Sequence, residues 1–400
     1  MRVLQINTVC GTGSTGRIAL DIHNILIEQG HESKTAYGRG EANNCSDTIK
    51  IGNKFDFYIH ALKTRILDKQ GFGSKKSTKE FIKKMEEYNP DIIHLHNIHG
   101  YYINIEILFN FLKQYNKPMI WTLHDCWTFT GHCSHYEYAK CYKWQTHCEN
   151  CPEKKSYPAS FFIDNSYNNF EKKKQLFTGI KNLTIVTPSE WLAEEVKKSF
   201  LKEYPVKVIN NGIDLNVFKP TESNFRKINN LEKDFIILGV ASKWTERKGI
   251  NYFFELSKKL KNEEKIILVG LSDKQLRNMP KNIIGIKRTN SIKELAEIYS
   301  TSDVFVNPTL EDNFPTTNLE ALACGTPVIT FNTGGSPESV DSNTGYVIEK
   351  GNAKDLLTKI KEVKKLGKEN YKIHCIKKAN DSYNKNNKFQ EYIDLYKNEA

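Results

Sequence analysis

The sequence predicts an α/β protein of two domains, each built on a parallel β-sheet. Its 400 residues exceed what a single hydrophobic core usually holds. Short apolar runs rich in β-branched residues alternate with amphipathic segments, which is the pattern of repeated βα units. The alternation starts a second series near Val206. We expect a first domain over residues 1–218 and a second over residues 219–381.

The first series is predicted to alternate strands and helices from its N-terminus. Its apolar runs are short and β-branched, as expected for strands that are buried on both faces. The predicted strands are residues 3–7, 91–96, 117–123 and 183–187. The predicted helices are residues 17–29, 105–115 and 189–200. A last helix, at about residues 382–400, is expected to pack back on this domain.

The second series is predicted to repeat the same architecture. It opens with a strand at residues 206–209 and a turn at 210–214, and the polar stretch 219–230 is predicted to be a linker. The further predicted strands are residues 234–241, 265–270, 283–286, 304–307 and 327–331. Helices are predicted at residues 250–261, 292–299 and 317–323.

The charge of the chain suits three classes of partner. The formal net charge is +11, which fits nucleic acid, an anionic membrane surface or a phosphorylated small molecule. No zinc-finger helix or aromatic RNA-binding signature is present, so we expect no nucleic-acid partner. No apolar run reaches the roughly 20 residues that cross a bilayer, and residues 1–7 are too short for a signal peptide. A cytoplasmic location is expected, and peripheral association with the inner membrane face stays open.

A glycine-rich turn follows the first predicted strand. Gly11, Gly13 and Gly16 let the backbone approach a ligand closely, and the helix that follows favours an anion at its N-terminus. Dinucleotide-binding proteins share this spacing but place an acid after the second strand, where this chain has Arg39. A nicotinamide-dependent oxidoreductase is therefore disfavoured. A tight structural turn without a ligand remains the alternative.

The most informative pattern lies at residues 312–327. Two carboxylates, Asp312 and Glu320, flank a predicted helix start at Pro315. Free N–H groups in the first turn of a helix can hold a phosphate. The arrangement fits a ligand with a diphosphate in its middle and hydroxyl groups at both ends. The alternative, from the pattern alone, is an ordinary capped helix with incidental acids.

In this segment the sequence resembles the E-x7-E region of the large retaining glycosyltransferase family 4, whose GT-B fold has two Rossmann-like domains facing across a cleft. Further segments resemble the family in the same order along the chain. They are the donor-side glycine turn 13–17, the interdomain connection at 210–214 and 218–220, the basic diphosphate-binding segment 242–249 and the late glycine turn 333–338. The chain looks most like the branch for colanic-acid-type exopolysaccharide and capsule synthesis.

The resemblance implies retaining sugar transfer from a nucleoside-diphosphate sugar to a glycan or lipid-linked acceptor, with no catalytic metal. Lys243 and Lys248 would neutralise the leaving diphosphate, one of whose oxygens would deprotonate the acceptor. Glu320 would hold the ribose, and Asp312 or Glu311 the sugar hydroxyls. The implied donor-binding residues are Gly13, Ser14, Gly16, Glu311, Asn313, Phe314, Pro315, Thr316 and Thr317.

Two positions depart from the family pattern. The first acid of the pair is an aspartate, Asp312, which is one methylene shorter than the usual glutamate and has Glu311 beside it. The usual arginine at the start of the basic segment is Lys243, which supplies charge but no bidentate fork.

Four histidines lie at or just after the ends of predicted strands of the first domain. By position in the family, His124 would face the donor sugar. His94, His96 and His99 lie at the end of a strand, where α/β folds bind ligands. They are expected to line the acceptor side of the cleft, with core or surface histidines as a nearly equal alternative.

Cysteines are concentrated in a polar insertion at about residues 126–152. The C-x2-C pair Cys148 and Cys151, together with Cys133 and Cys141, fits a structural zinc site of four thiolates. Reduced thiols without a metal, or disulfides formed after purification, are the alternatives. Other side chains that could replace one ligand are Cys126, His132, His135 and His147.

A protein that binds a nucleotide sugar or a polyanion without catalysis is the main competing function. The paired acids argue against it, because a pure polyanion binder has no use for carboxylates at its ligand. Glycogen-phosphorylase-like enzymes share the architecture but need a pyridoxal phosphate lysine, for which the sequence offers no context.

Overall fold

The computed structural model describes residues 1–400, which divide into two compact units. Unit 1 comprises Met1–Asn210 together with Phe389–Ala400, and unit 2 comprises Asn211–Lys388. The division falls after Asn210, whereas the boundary expected from the sequence lies after residue 218. No helix in the structure is both long enough and apolar enough to cross a membrane.

A seven-stranded parallel sheet forms the centre of unit 1. Its strands are β1 (Arg2–Asn7), β2 (Glu32–Tyr37), β3 (Thr48–Lys50), β4 (Ile92–Leu95), β5 (Met119–Thr122), β6 (Leu183–Thr187) and β7 (Val206–Val208). Their order across the sheet is β3-β2-β1-β4-β5-β6-β7. The order reverses between β1 and β4, and in open α/β sheets ligands bind at the carboxyl ends of the strands beside such a reversal.

The helices of unit 1 cover both faces of this sheet, and their starts carry capping side chains. Asn53 caps α2 through a reciprocal pair of hydrogen bonds with Asp56, and the Asn104 side chain accepts from the backbone of Ile107 at the start of α4. The helices are α1 (Gly13–Glu28), α2 (Lys54–Leu67), α3 (Lys75–Tyr88), α4 (Ile105–Tyr115), α5 (Ser166–Phe177) and α6 (Glu190–Lys197).

Unit 2 is built on a six-stranded parallel sheet. Its strands are β8 (Phe235–Val240), β9 (Glu264–Val269), β10 (Ile283–Ile286), β11 (Val304–Asn307), β12 (Val328–Phe331) and β13 (Gly345–Ile348), in the order β10-β9-β8-β11-β12-β13. The order again reverses beside the first strand, here between β8 and β11. The helices are α7 (Phe225–Ile228), α8 (Ile250–Ser257), α9 (Asp273–Arg277), α10 (Ile292–Thr301), α11 (Thr316–Ala323), α12 (Ala353–Leu366) and α13 (Glu369–Tyr383).

The predicted linker 219–230 is wrong for its second half, which forms α7. Arg226 ties this short helix to the sheet, because its guanidinium donates to the carbonyl of Asp234 at 2.8 Å and pairs with Asp303 at 2.7 Å. One arginine with several fixed donors thus orders a stretch that polar composition alone assigns to a linker.

The last helix, α14 (Lys385–Glu399), returns the chain to unit 1. Its buried Tyr392, Ile393 and Tyr396 pack in one apolar cluster with Val3, Ile120 and other side chains of the sheet. The Tyr396 hydroxyl lies 2.6 Å from His94 Nδ1, and Thr122 lies 2.8 Å from His94 Nε2. His94 is therefore a core residue that fixes α14, and the expectation that it lines a ligand cleft is wrong.

Candidate active site

In unit 2, strand β8 leads into the basic turn 242–249. Trp244 anchors the turn, since its indole N–H donates to the carbonyl of Val269 at 2.8 Å. A single turn of 3₁₀ helix, Glu246–Lys248, ends at Gly249, whose φ is +78°. A Cβ at residue 249 would lie 2.0 Å from the carbonyl oxygen of Pro308. Glycine is required there so that the turn can lie against the chain that follows β11.

Two ion pairs join the basic turn to the acids that precede α11. Arg247 Nη1 lies 2.5 Å from Glu311 Oε1, and Lys248 Nζ lies 2.5 Å from Asp312 Oδ2. Glu311 is buried, whereas Asp312 and Lys248 are partly exposed. The pair of Arg247 and Glu311 is therefore the more enclosed of the two, and the pair of Lys248 and Asp312 is the more accessible to solvent. The predicted Lys243 is exposed and lies outside these two pairs.

The late glycine turn, residues 333–338, packs against the backbone of Asp312. Gly334 has φ +52°, and a Cβ there would lie 1.8 Å from the carbonyl oxygen of Asp312. The amide of Gly335 donates to the same oxygen at 3.2 Å. The Thr333 hydroxyl donates to the carbonyl of Leu310 at 3.0 Å. Backbone contacts thus fix the position of Asp312 independently of its side chain.

Helix α11 begins directly after the acids. Pro315 is its N-cap residue and makes no side-chain capping bond, so the N–H groups of the first turn are not capped by the N-cap side chain. Phe314 is buried and packs near Tyr383, with ring centroids 6.0 Å apart. Of the predicted donor-binding residues here, Phe314 can therefore offer only its backbone to a ligand, while Thr316 and Thr317 are partly exposed.

Glu320 lies one turn further along α11 and is held by a tyrosine of α10. The Tyr299 hydroxyl donates to Glu320 Oε2 at 2.9 Å. Burial, together with the negative charge of Glu320, holds the pKa of Tyr299 well above its usual value. The tyrosine consequently stays protonated and fixes one carboxylate oxygen of Glu320.

In unit 1, the glycine turn joins β1 to α1. Gly11 has φ +68°, its amide donates to the carbonyl of Gly16 at 3.0 Å, and a Cβ on it would lie 2.0 Å from the carbonyl oxygen of Asn43. Gly13 and Ser14 are exposed at the start of α1, and the N-cap residue Thr12 makes no side-chain capping bond. Glycine is thus required at residue 11 by the close approach of the Asn43 carbonyl, and the helix start at Gly13 is exposed and has no side-chain cap.

A chain of hydrogen bonds determines the protonation of His124. Gln5 uses its amide N–H to donate to the carbonyl of Ala19, which leaves its oxygen, 3.1 Å from His96 Nε2, as an acceptor. A neutral His96 then accepts at Nδ1, which lies 3.1 Å from His124 Nε2. Burial lowers the pKa of His124 to about 4 and that of His96 well below its usual value. Both imidazoles are therefore neutral near pH 7, and His124 donates through Nε2.

Asp125 and His99 form a second polar pair beside His124. His99 Nε2 lies 2.9 Å from Asp125 Oδ2, and His99 Nδ1 lies 3.0 Å from the Tyr157 hydroxyl. Burial alone would raise the pKa of Asp125, but the hydrogen bond and charge of His99 outweigh it, and the net pKa falls to about 2. His99 is thus a partner of Asp125 and, like His96, is buried.

The four cysteines of the predicted zinc site line one small cavity. The cavity measures about 10 Å³ and is lined by Cys133, Cys141, Cys148 and Cys151, among other side chains. The thiol of Cys133 is hydrogen-bonded to Cys151, which raises the pKa of Cys133 and lowers that of Cys151. No three or more His, Cys, Asp or Glu side chains are arranged so that they could hold a metal ion as they stand. Zinc binding therefore stays a prediction.

Three residues of the candidate site were missed by the sequence analysis. Arg247 stands between Glu246 and Lys248 in the basic turn, and its sequence position was a usable signal. Tyr299 and Asp125 gave no such signal, because their roles come from contacts with Glu320 and His99 that only the fold creates.

Comparison with known proteins finds family models that match most of the chain. The model for Glycosyltransferase Family 4 matches residues 15–217, and the model for Glycosyl transferases group 1 matches residues 221–381. The chain is 24% identical over 421 aligned positions to WcaC of Escherichia coli (strain K12), described as a colanic acid biosynthesis glycosyl transferase, with 100% of both chains covered. It is 30% identical over 219 positions to a Campylobacter jejuni N-acetylgalactosaminyltransferase that acts on a diphospho-undecaprenol substrate, covering 51% of this chain and 57% of the relative.

Solved structures share the fold over the whole chain. Sucrose-phosphate synthase of Thermosynechococcus elongatus superposes with a TM-score of 0.74 at 16% identity, covering 99% of this chain and 98% of the other. HepE of Anabaena, solved with UDP, superposes with a TM-score of 0.69 at 14% identity, with both chains fully covered. The fold is GT-B, and the Family 4 model spans half of the chain. This protein is thus a glycosyltransferase and belongs to glycosyltransferase family 4.

Proposed function

We propose that this glycosyltransferase takes its sugar from a nucleoside-diphosphate sugar and transfers it with retention to a glycan or lipid-linked acceptor in surface polysaccharide synthesis. The observation that carries the proposal is the cluster in unit 2, where Lys248 and Asp312 pair beside the uncapped start of α11. Cations and free amides suit a diphosphate, and the adjoining carboxylates suit hydroxyl groups.

The uridine nucleotide is the donor that the comparisons favour. HepE was solved with UDP and with UDP-glucose, and a pneumococcal O-GlcNAc transferase of the same fold with UDP and GlcNAc. In this chain Glu320 would hold the ribose, because the hydroxyl of Tyr299 donates to one of its oxygens and thereby orients the carboxylate. Polysaccharide synthesis is supported by the likeness to WcaC and to the capsular enzyme CapM of Staphylococcus aureus.

In the proposed mechanism the protein stabilises charge and positions groups. As the bond to the sugar breaks, negative charge grows on the diphosphate, and Lys248, Arg247 and the first-turn amides of α11 offset it. A diphosphate oxygen then removes the acceptor proton on the same face of the sugar. Asp312 is the acid we assign to the sugar hydroxyls, because Glu311 is buried against Arg247. His124 would contact the donor sugar as a neutral hydrogen-bonding group, because burial lowers its pKa to about 4.

The test is release of UDP from a panel of UDP-sugars by the full chain. Lys248→Ala should lower kcat by about 10²–10³-fold, as expected for the loss of one contact to developing charge. Lys287→Ala is the matched control, because Lys287 is an exposed lysine of unit 2 that also pairs with an aspartate, Asp273. If UDP binds but the panel is not turned over, or if Lys248→Ala is as active as the control, the proposal is wrong.

A further inference from the structure

Helix α2 of unit 1 exposes most of its large apolar side chains to solvent, whereas a surface helix usually turns them toward the core. It buries His60, Ala61 and Thr64 and exposes Phe55 by 72% and Leu62 by 58%. The buried polar groups are satisfied, since His60 accepts from two backbone amides and contacts Ser74, and burial lowers the pKa of His60 to about 3. The exposed apolar side chains repeat at helical spacing and form one stripe: Phe55, Tyr58, Ile59, Leu62 and Ile66.

A loop extends this stripe beyond the end of the helix. Phe161, Phe162 and Ile163 are all exposed, with Phe162 at 73%. The amide of Phe161 donates to the carbonyl of Arg65 at 2.8 Å, so the loop is fastened to the last turn of α2. We call the α2 stripe together with Phe161, Phe162 and Ile163 the α2 surface. Contiguous apolar surface of this kind marks a binding site for a partner or a membrane.

A basic groove adjoins the α2 surface. It measures about 630 Å³, and its lining includes Lys63, Lys69, Lys75 and Lys172. Burial lowers the pKa of Lys63, and the charges of the other three lysines lower it further. Between residues 54 and 76 the chain has six Lys or Arg and two Asp, and one of these, Asp68, is buried against His132. The groove also contains Glu171 and Glu106, and Glu106 pairs with Lys172 at 3.2 Å. Four lysines thus stand against two glutamates, and the groove keeps a net positive charge.

We propose that the α2 surface docks on an anionic phospholipid bilayer. The aromatic and aliphatic side chains would enter the interface between headgroups and acyl chains, while the lysines of the groove meet lipid phosphates. A second copy of this chain is a poorer occupant, because two like basic surfaces would face each other. The inference deepens the proposed function, since it gives the enzyme a place at the membrane where a lipid-linked acceptor resides.

The experiment is flotation of the full chain with vesicles of phosphatidylcholine alone or with 30% phosphatidylglycerol. We expect binding to the anionic vesicles, which weakens with salt. The double variant Leu62→Ser/Phe162→Ser should reduce the partition coefficient at least about tenfold. Each substitution removes the favourable free energy of moving an apolar side chain from water into the membrane interface. Lys69→Glu/Lys75→Glu should reduce it on anionic vesicles and flatten the salt dependence. Ile373→Ser, at a residue of α13 exposed by 71%, is the control and should bind like the parent chain.

Several outcomes would overturn this docking. One is a parent chain that ignores anionic vesicles; another is double variants that partition like Ile373→Ser. A third is a parent chain that is dimeric in sedimentation and becomes monomeric in Leu62→Ser/Phe162→Ser, which would assign the α2 surface to a second copy. UDP release without vesicles should be unchanged in all these variants. A failure of the proposed sugar transfer is thus seen separately from a failure of docking.

Discussion

At the scale of single residues, the buried Tyr299 positions the carboxylate of Glu320. The Tyr299 hydroxyl donates to Glu320 at 2.9 Å, and its ring packs on Phe218 and Phe305 in the core of unit 2. Without the hydroxyl, Glu320 would keep its place in α11 but lose the bond that orients its carboxylate.

Tyr299→Phe should therefore weaken UDP binding by about threefold to tenfold, which corresponds to the roughly 0.5–1.5 kcal/mol of one typical intramolecular hydrogen bond. Glu320→Gln should weaken UDP binding more, because it removes the negative charge that would accept from the ribose. Titration calorimetry with UDP measures both. Tyr346→Phe is the matched control, since its hydroxyl lies 3.0 Å from that of Tyr371, away from Glu320. Equal affinity in Tyr299→Phe and the control would mean that Tyr299 does not position Glu320.

Single residues also show which parts of the site sequence can predict. Asp312, Glu320 and Lys248 were named because their spacing around Pro315 and in the basic turn follows a known pattern. Their pairing was not predictable, because Lys248 meets Asp312 across 64 residues of chain. His94 was misplaced for the same reason: its partner Tyr396 is 302 residues away.

At the scale of elements, a continuous apolar run predicted a strand both in the centre of a sheet and at its edge, as for β10. Strands such as β6 and β11, which are buried throughout, were predicted with the bounds that the structure has. Strands β2 and β3 were not predicted, because neither has a continuous apolar run. Strand β13 was also not predicted, although it is as long as β11. The helix α2 was not predicted, although its apolar residues repeat at helical spacing, and only the structure shows that these residues face outward.

The sequence of the cysteine insertion is compatible with a zinc site, with reduced thiols or with disulfides. A tetrahedral zinc with four thiolates needs sulfur atoms about 3.8 Å apart, from a Zn–S bond of about 2.3 Å. Cys133 and Cys151 are already in hydrogen-bond contact, and Cys141 and Cys148 line the same cavity. Binding would require the remaining thiols to close around the cavity, since no three ligands are arranged for a metal at present.

We predict about one zinc per chain after purification under reducing conditions without chelator, measured by elemental analysis. Cys148→Ser should lower the zinc content, because it removes one of four ligands, whereas Cys45→Ser, a partly exposed cysteine outside the insertion, should not. Absence of zinc, with all nine thiols titratable in the native protein, would reject the site. Zinc that persists in Cys148→Ser/Cys151→Ser would place it elsewhere.

At the scale of the whole molecule, the two units are not two consecutive pieces of chain. Unit 1 needs the segment Phe389–Ala400, whose Tyr392 and Tyr396 are buried and lie beside Thr122 and His94. Sequence predicted the return of the last helix, but the number of large side chains that it buries could be known only from the structure.

A chain that ends at Lys388 should have a destabilised unit 1 and an unaffected unit 2. Burial of each large apolar side chain contributes roughly 1.5–3 kcal/mol, so the loss approaches the 5–15 kcal/mol that stabilises a typical domain. Hydrogen exchange of amides in β4 and β5 should rise sharply, while UDP affinity should persist. Tyr396→Phe, which removes only the hydroxyl beside His94, should cost about 1 kcal/mol. Unchanged protection of β4 and β5 in the shortened chain would show that α14 is dispensable.

The return of α14 also has a consequence for synthesis on the ribosome. The strands and first helices of unit 1 leave the ribosome early, but the segment that covers part of its sheet is translated after all of unit 2. The nascent chain must therefore carry an incomplete first unit, with His94 and the apolar side chains around Ile120 uncovered, while the second unit is being made. Chaperones that shield exposed apolar surface would act during this interval. Any message cut short before residue 389 would yield a chain that lacks this cover.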